Sequence, residues 1–134
     1  MNDNTDSMQK RDLQLQQLTK AVARLREVLA LDADDSGTVR DSAIQRFAFC
    51  VDLSWKTIKT TLTTEHGITC TSPKSCLREA HTVGIIAEDD ATWLDLLHMR
   101  NLSSHTYNET LAEDIYQKLP DALKKFETLL MQLA

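Results

Sequence analysis

Residues 38–67, TVRDSAIQRFAFCVDLSWKTIKTTLTTEHG, carry the clearest periodicity in the chain. Ile44, Phe47, Val51, Trp55, Ile58 and Leu62 recur at spacings of three and four, which is one face of an α-helix and not the alternation of a strand. That spacing predicts about seven turns of amphipathic helix starting near Thr38, with Gly67 as a left-handed stop. Just upstream, Asp32-Ala33-Asp34-Asp35-Ser36-Gly37 gathers turn and capping residues whose carboxylates suit the positive end of that helix.

The same period extends in both directions. Leu15, Leu18, Val22, Leu25 and Leu29 place an earlier helix between Asp12 and Leu31. Downstream, Ser72-Pro73 reads as an N-cap followed by proline at the first helical position, opening a shorter helix through Leu77, Ala80 and Val83 to Gly84. Asp89 or Asp90 then caps a segment carrying Trp93, Leu94, Leu96 and Leu97. The last helix runs from about Glu109 to Leu133, with Ala112, Ile115, Leu119, Leu123, Phe126, Leu130 and Leu133 inward, and Pro120 predicts a kink within it. The expected fold is all-α: an antiparallel four-helix up-and-down bundle with an extra short helix. Residues 1–9 lack periodicity and are expected to be flexible, leaving 10–134 as a single domain.

Composition agrees. Only 3 Gly and 2 Pro occur in 134 residues, too few for a fold rich in tight turns. No window approaches the roughly 18 apolar residues of a membrane span, and Met1 to Gln17 is polar with no apolar h-region. A soluble, cytoplasmic protein is expected, with its 3 cysteines as reduced thiols. The 20 acids outnumber the 15 Lys and Arg, for a net charge of -5, which excludes a protein that grips nucleic acid by bulk positive charge. One local exception stands out: Leu96 to Asn108 holds no acid but carries His98, Arg100 and His105, making it the cationic pocket candidate.

Several constellations invite a chemical reading and have a plainer one beside it. Asp32, Asp34, Ser36 and Gly37 resemble the start of a calcium-binding loop, but the twelfth position is Ala43 where a bidentate glutamate belongs, so a helix-capping loop is the expected role. His66, Cys70, Cys76 and His81 lack the tight pairs of a structural zinc site. Lys56 and Lys59, one turn apart, are either a solvated face or phosphate contacts. No metal and no cofactor is expected.

Arg100-Asn101-Leu102-Ser103-Ser104-His105-Thr106-Tyr107 is more specific. On a regular helix Arg100 and His105 would sit roughly 140° apart. Asn101, Ser103 and Ser104 compete with helical hydrogen bonds, so a break is expected that lets both residues serve one group. The pair suits phosphodiester cleavage: imidazole moves a proton near neutral pH while guanidinium neutralises the phosphoryl oxygens. Attack by a ribose 2′-hydroxyl needs no metal and restricts the substrate to RNA.

Arg, four residues, His, one residue, Tyr, here Arg100, His105 and Tyr107, resembles the signature of the HEPN superfamily in its HepT branch, also called the nucleotidyltransferase substrate-binding protein family. Phe47 and Phe49 before Trp55-Lys56, then Ser72-Pro73, then Trp93 ahead of Arg100-Asn101, match that family's pattern in order and spacing over roughly residues 10–133. The resemblance implies a homodimer in which the Arg and His motifs face each other across a cleft. It implies a ribonuclease toxin of a type VII toxin–antitoxin pair, whose partner is a small MNT-type nucleotidyltransferase antitoxin. By that likeness Arg100 and His105 are catalytic, Asn101 supports them, and Tyr107 accepts AMP from the partner. The rival reading is a non-catalytic subunit that binds the nucleotidyltransferase or presents substrate to it.

Overall fold

The computed structural model describes residues 3–87 and 90–134, and every regular element among them is helical: α1 (Asp3–Leu29), α2 (Thr38–His66), α3 (Pro73–Thr82), α4 (Asp90–Leu102), a short 3₁₀ turn (Ser103–His105) and α5 (Glu109–Leu133). α2 is the central element, touching α1, α3, α4, α5 and the 3₁₀ turn, while α1 and α5 also pack on each other. No helix is long and apolar enough to cross a membrane.

The ends of α2 follow its sequence. Gly37 adopts φ 78° at the start, and Asp34 reaches over it to accept from the Val39 N–H at 3.2 Å. The Ser36 hydroxyl donates to Asp34 Oδ2 at 2.7 Å, and these two contacts hold the Asp34 carboxyl below its usual value. At the other end Gly67 takes φ 66°, so that its own N–H and that of Ile68 close on the carbonyls of Thr63 and Leu62. α3 opens on a reciprocal cap: Ser72 Oγ accepts from the Ser75 N–H and Ser75 Oγ from the Ser72 N–H, both at 3.1 Å. The cap expected at Asp89 or Asp90 lies outside the described residues, which omit Asp89 and the Asp90 side chain.

The core is built around three rings. Phe126 of α5 packs against Phe47 of α2 at 6.0 Å between centroids, and edge-on against Trp93 of α4 at 5.9 Å. Truncating a buried Phe of this kind costs about 3–5 kcal/mol, from lost transfer energy and the cavity left behind. Buried Thr57 and Thr61 return their hydroxyls to the Leu53 and Thr57 carbonyls, so neither is an unpaired polar group. In α5 the buried stripe is Ala112, Ile115, Leu119, Ala122, Phe126, Leu129 and Leu133, with Leu123 and Leu130 half-buried on its flank. The helix runs through Pro120, which is exposed.

Besides Leu123 and Leu130, expected inward but only half-buried where Ala122 and Leu129 are buried, two features depart from expectation. The helical backbone of α1 extends back to Asp3, ahead of the apolar stripe, because lengthening an existing helix fixes one residue per hydrogen bond and needs no new nucleus. Cys70 and Cys76, expected as reduced thiols, are instead joined in a disulfide. The turn after α2 folds Cys70 onto the first turn of α3, leaving the Cα atoms 5.2 Å apart, an ordinary span for such a bond. The odd count excludes a closed framework but allows one pair. Cys50 alone is free, and burial pushes its thiol up to about 12, keeping it protonated and inert.

Candidate active site

The helix breaks where its serines predict. α4 ends at Leu102, the chain tightens through Ser103–His105, and Asn108 caps α5 by accepting from the Leu111 N–H at 3.1 Å. Ser103 Oγ donates to the Arg100 carbonyl at 2.6 Å and Ser104 Oγ to the Asn101 carbonyl at 3.2 Å. Side chains thereby take carbonyls that backbone N–H groups would occupy in a continuous helix.

α2 braces both sides of this break. Upstream, the Arg100 guanidinium meets Asp52 through two parallel bonds, Nε to Oδ1 and Nη2 to Oδ2, each 3.0 Å. Such a planar fork fixes orientation as well as charge. The Asp52 hydrogen bond holds Arg100 above its usual pKa despite the opposing effect of burial. Downstream, Arg40 reaches Glu109 in the first turn of α5 at 2.8 Å and its neighbour Asp41 at 3.0 Å, and these carboxylates raise its pKa likewise.

The motif residues sit on the outside of this brace. The Arg100 side chain keeps 33% of its surface exposed, with Nη1 3.5 Å from Ser103 Oγ. His105 is exposed, and its Nδ1 lies 3.2 Å from the Tyr107 hydroxyl, the rings edge-on at 5.8 Å. Tyr107 is 82% exposed, far beyond what a packing role needs. Arg100 and His105 make no hydrogen bond to each other, and both are open to a group from outside. Asn101 is exposed and lines a separate hollow with His98 and Ser72, without a side-chain bond to Arg100.

Lys56 and Lys59 border a groove of about 330 Å³ between α1 and α2. Among the described residues no group of three or more His, Cys, Asp or Glu stands together to hold a metal. Asp34 is engaged as a cap, and Cys70 and Cys76 are bonded to each other.

Asp52 and Arg40 escaped the sequence reading. Asp52 did carry a signal: it lies four residues before Lys56 on one stripe of α2, the sole acid between Asp41 and Glu65. Nothing local in the sequence connects it with Arg100, which is 48 residues away.

Comparison with known proteins places these observations. The sequence model of the family described as nucleotidyltransferase substrate binding protein like matches residues 13–134. A protein of Haemophilus influenzae named probable ribonuclease HepT is 36% identical over 100 residues, spanning 72% of this chain and 68% of that protein. A crystal structure from Thermus thermophilus superposes with a TM-score of 0.80 at 38% identity, covering 87% of this chain and 98% of that one. A Haemophilus influenzae structure, described as revealing the fold of a substrate binding domain of a nucleotidyltransferase, superposes at 0.67 with 29% identity, covering 93% and 97%. With the family model spanning nearly the whole chain and the helical bundle shared with these structures, the chain belongs to the nucleotidyltransferase substrate binding protein-like family.

Proposed function

We propose that this protein is the ribonuclease toxin of a type VII toxin–antitoxin pair, cutting RNA without a metal at an Arg100/His105 site completed across a homodimer. The observation that carries this reading is the broken turn, where Asp52 orients Arg100 while His105 remains exposed beside Tyr107. In the reaction, the 2′-hydroxyl oxygen attacks the adjacent phosphorus and the bond to the 5′-oxygen breaks, leaving a 2′,3′-cyclic phosphate and a 5′-hydroxyl. His105 takes the proton of the 2′-hydroxyl, and His105 of the partner subunit returns one to the leaving oxygen. Arg100, held by Asp52, presents Nη1 to the phosphoryl oxygens, where negative charge gathers. Asn101, the next residue along α4, supports the site.

The cognate MNT-type nucleotidyltransferase silences the site by transferring AMP from ATP to the Tyr107 oxygen, with release of pyrophosphate and of the phenolic proton. A phosphodiester against His105 blocks the cleft and sets negative charge where RNA phosphate must lie. This chemistry belongs in the cytoplasm, where RNA and ATP meet the protein.

Purified protein freed of its partner should cleave single-stranded RNA equally with and without EDTA, and His105→Ala should not. Intact RNA with the wild-type protein sinks the nuclease reading and leaves the non-catalytic subunit that binds the nucleotidyltransferase or presents substrate to it. Co-expression with an active cognate nucleotidyltransferase should add AMP mass to the peptide bearing Tyr107. Neutralised toxicity with unmodified peptide points to inhibition by contact.

A further inference from the structure

α2 carries a second cationic feature. Asp52, Lys56, Lys59 and Thr63 lie within roughly 40° of one stripe at 3.6 residues per turn, so the stripe leads from the Arg100 brace along the helix. Lys56 stands roughly 6 Å and Lys59 roughly 10 Å along the axis from Asp52. α1 completes the opposite wall with Lys10 and Gln14, and the half-buried Trp55 supplies an apolar surface between them.

The groove's chemistry is one-sided. No acid lines it, and none of Lys10, Lys56 and Lys59 is paired with a carboxylate among the described residues. Glu65, the next acid along α2, is turned to Arg11 at 3.8 Å. Two further wall residues hold enclosed polar atoms with no partner among the described residues, Gln14 Oε1 and Thr64 Oγ1. In a chain of net charge -5, three lysines with no carboxylate partner among the described residues surround a tryptophan, and Gln14, Thr60 and Thr63 add polar groups to the walls. The partner that fits is anionic along its length, has hydrogen-bonding groups, and has a flat apolar part. A nucleotide unit of a single strand has all three, with phosphates for the lysines and a base for Trp55.

We infer that the groove lined by Lys10, Trp55, Lys56 and Lys59 holds the single-stranded RNA that flanks the scissile phosphate, leading it along α2 to Arg100. The inference rests on the ribonuclease reading for its direction, but the groove binds a strand whether or not the strand is cut. It also explains how an acidic protein keeps RNA at its site: the grip is confined to one stripe.

Binding is therefore measured apart from cleavage, on the full chain, with a short fluorescein-labelled 2′-O-methyl oligoribonucleotide that offers no attacking hydroxyl. The double variant Lys56→Glu/Lys59→Glu should bind about tenfold or more weakly, and the slope of log K against log salt should flatten by roughly 1.4, two phosphate contacts at about 0.7 each. Lys118→Glu, on exposed α5 and outside the groove, should bind as wild type does. Trp55 fluorescence should be quenched on binding, and Trp55→Phe should remove the quench while buried Trp93 stays unaffected. On cleavable RNA the lysine reversals should raise KM with kcat held within about twofold. Unchanged binding by the double variant, equal weakening by Lys118→Glu, or complete displacement by equimolar ATP would each overturn the inference, the last by assigning the groove to a mononucleotide. Absence of cleavage with the oligonucleotide still bound through the lysines would sink the nuclease reading and leave the strand-binding groove standing.

Discussion

Two cationic regions share helix α2, and they spend their charge differently. At the break after α4, Arg100 is met by Asp52 within the chain, so its positive charge is answered and its plane is fixed. One and two turns further along α2, Lys56 and Lys59 face a groove with no carboxylate among the described residues to answer them. The difference separates orientation from attraction. A guanidinium that must present one edge to a developing charge gains from being held, whereas lysines that draw in a polyanion gain from staying unpaired. The acid-free stretch from Leu96 to Asn108 does not by itself make a positive pocket, since α2 brings Asp52 to it in space.

The largest expected effect lies at the first region. His105→Ala should lower RNA cleavage by about 10²–10⁴-fold, the usual worth of a positioned acid–base group, with oligonucleotide binding retained. Next, the Lys56/Lys59 reversals should act in the opposite sense, on binding and KM. If both sets of variants changed kcat alike, the division between the two regions would collapse.

Asp52→Ala sharpens the comparison. Releasing Arg100 should raise local positive charge, so oligonucleotide binding should hold or tighten, while kcat falls about tenfold because the guanidinium is no longer aimed. Faster cleavage by Asp52→Ala would show that the pair restrains the site instead of orienting it. Arg100→Ala should also lower stability by about 1 kcal/mol, since the Asp52 carboxylate, 35% exposed, loses its partner.

The smallest effect provides the control for α2 as a whole. Asp34 is held below its ordinary 3.8 by the Ser36 hydroxyl and the Val39 N–H, so its ionised form favours the folded chain. Between the lowered folded value and 3.8 the unfolded chain binds more protons, and stability rises with pH. The contribution is complete above the unfolded value and is lost as pH falls through the folded one. Asp34→Ala should lower Tm slightly near neutral pH, converge with wild type in acid, and alter neither cleavage nor strand binding of the folded protein. A change in either activity would mean that the two regions depend on the seating of α2.

Much of this was legible in the chain, and the limits were physical. The helices, the Gly67 stop, the Ser72 cap and the break after Leu102 are local events, governed by residues within a turn or two of each other. The motif Arg100, His105 and Tyr107 was legible for the same reason, because all three lie on one short segment. α5 marks the boundary of that legibility. Its sequence offers two adjacent apolar stripes beyond Pro120, one through Leu123 and Leu130 and one through Ala122 and Leu129, and the spacing alone points to the first. Packing against Phe47 and Trp93 selects the second. The disulfide, likewise, depends on the path of the turn between α2 and α3 and not on cysteine number.

The amino-acid sequence by itself determined an all-helical chain, the place where its fourth helix breaks, and a family signature on the residues around that break, because hydrophobic period, capping and back-bonding hydroxyls act over a few residues. Only the tertiary structure decided which charges meet. Asp52 reaches Arg100 and Arg40 reaches Glu109 because α2 packs beneath both ends of the break, and Lys10 joins Lys56 and Lys59 because α1 lies along α2. Those pairings depend on distances across the bundle, which no spacing along the chain encodes.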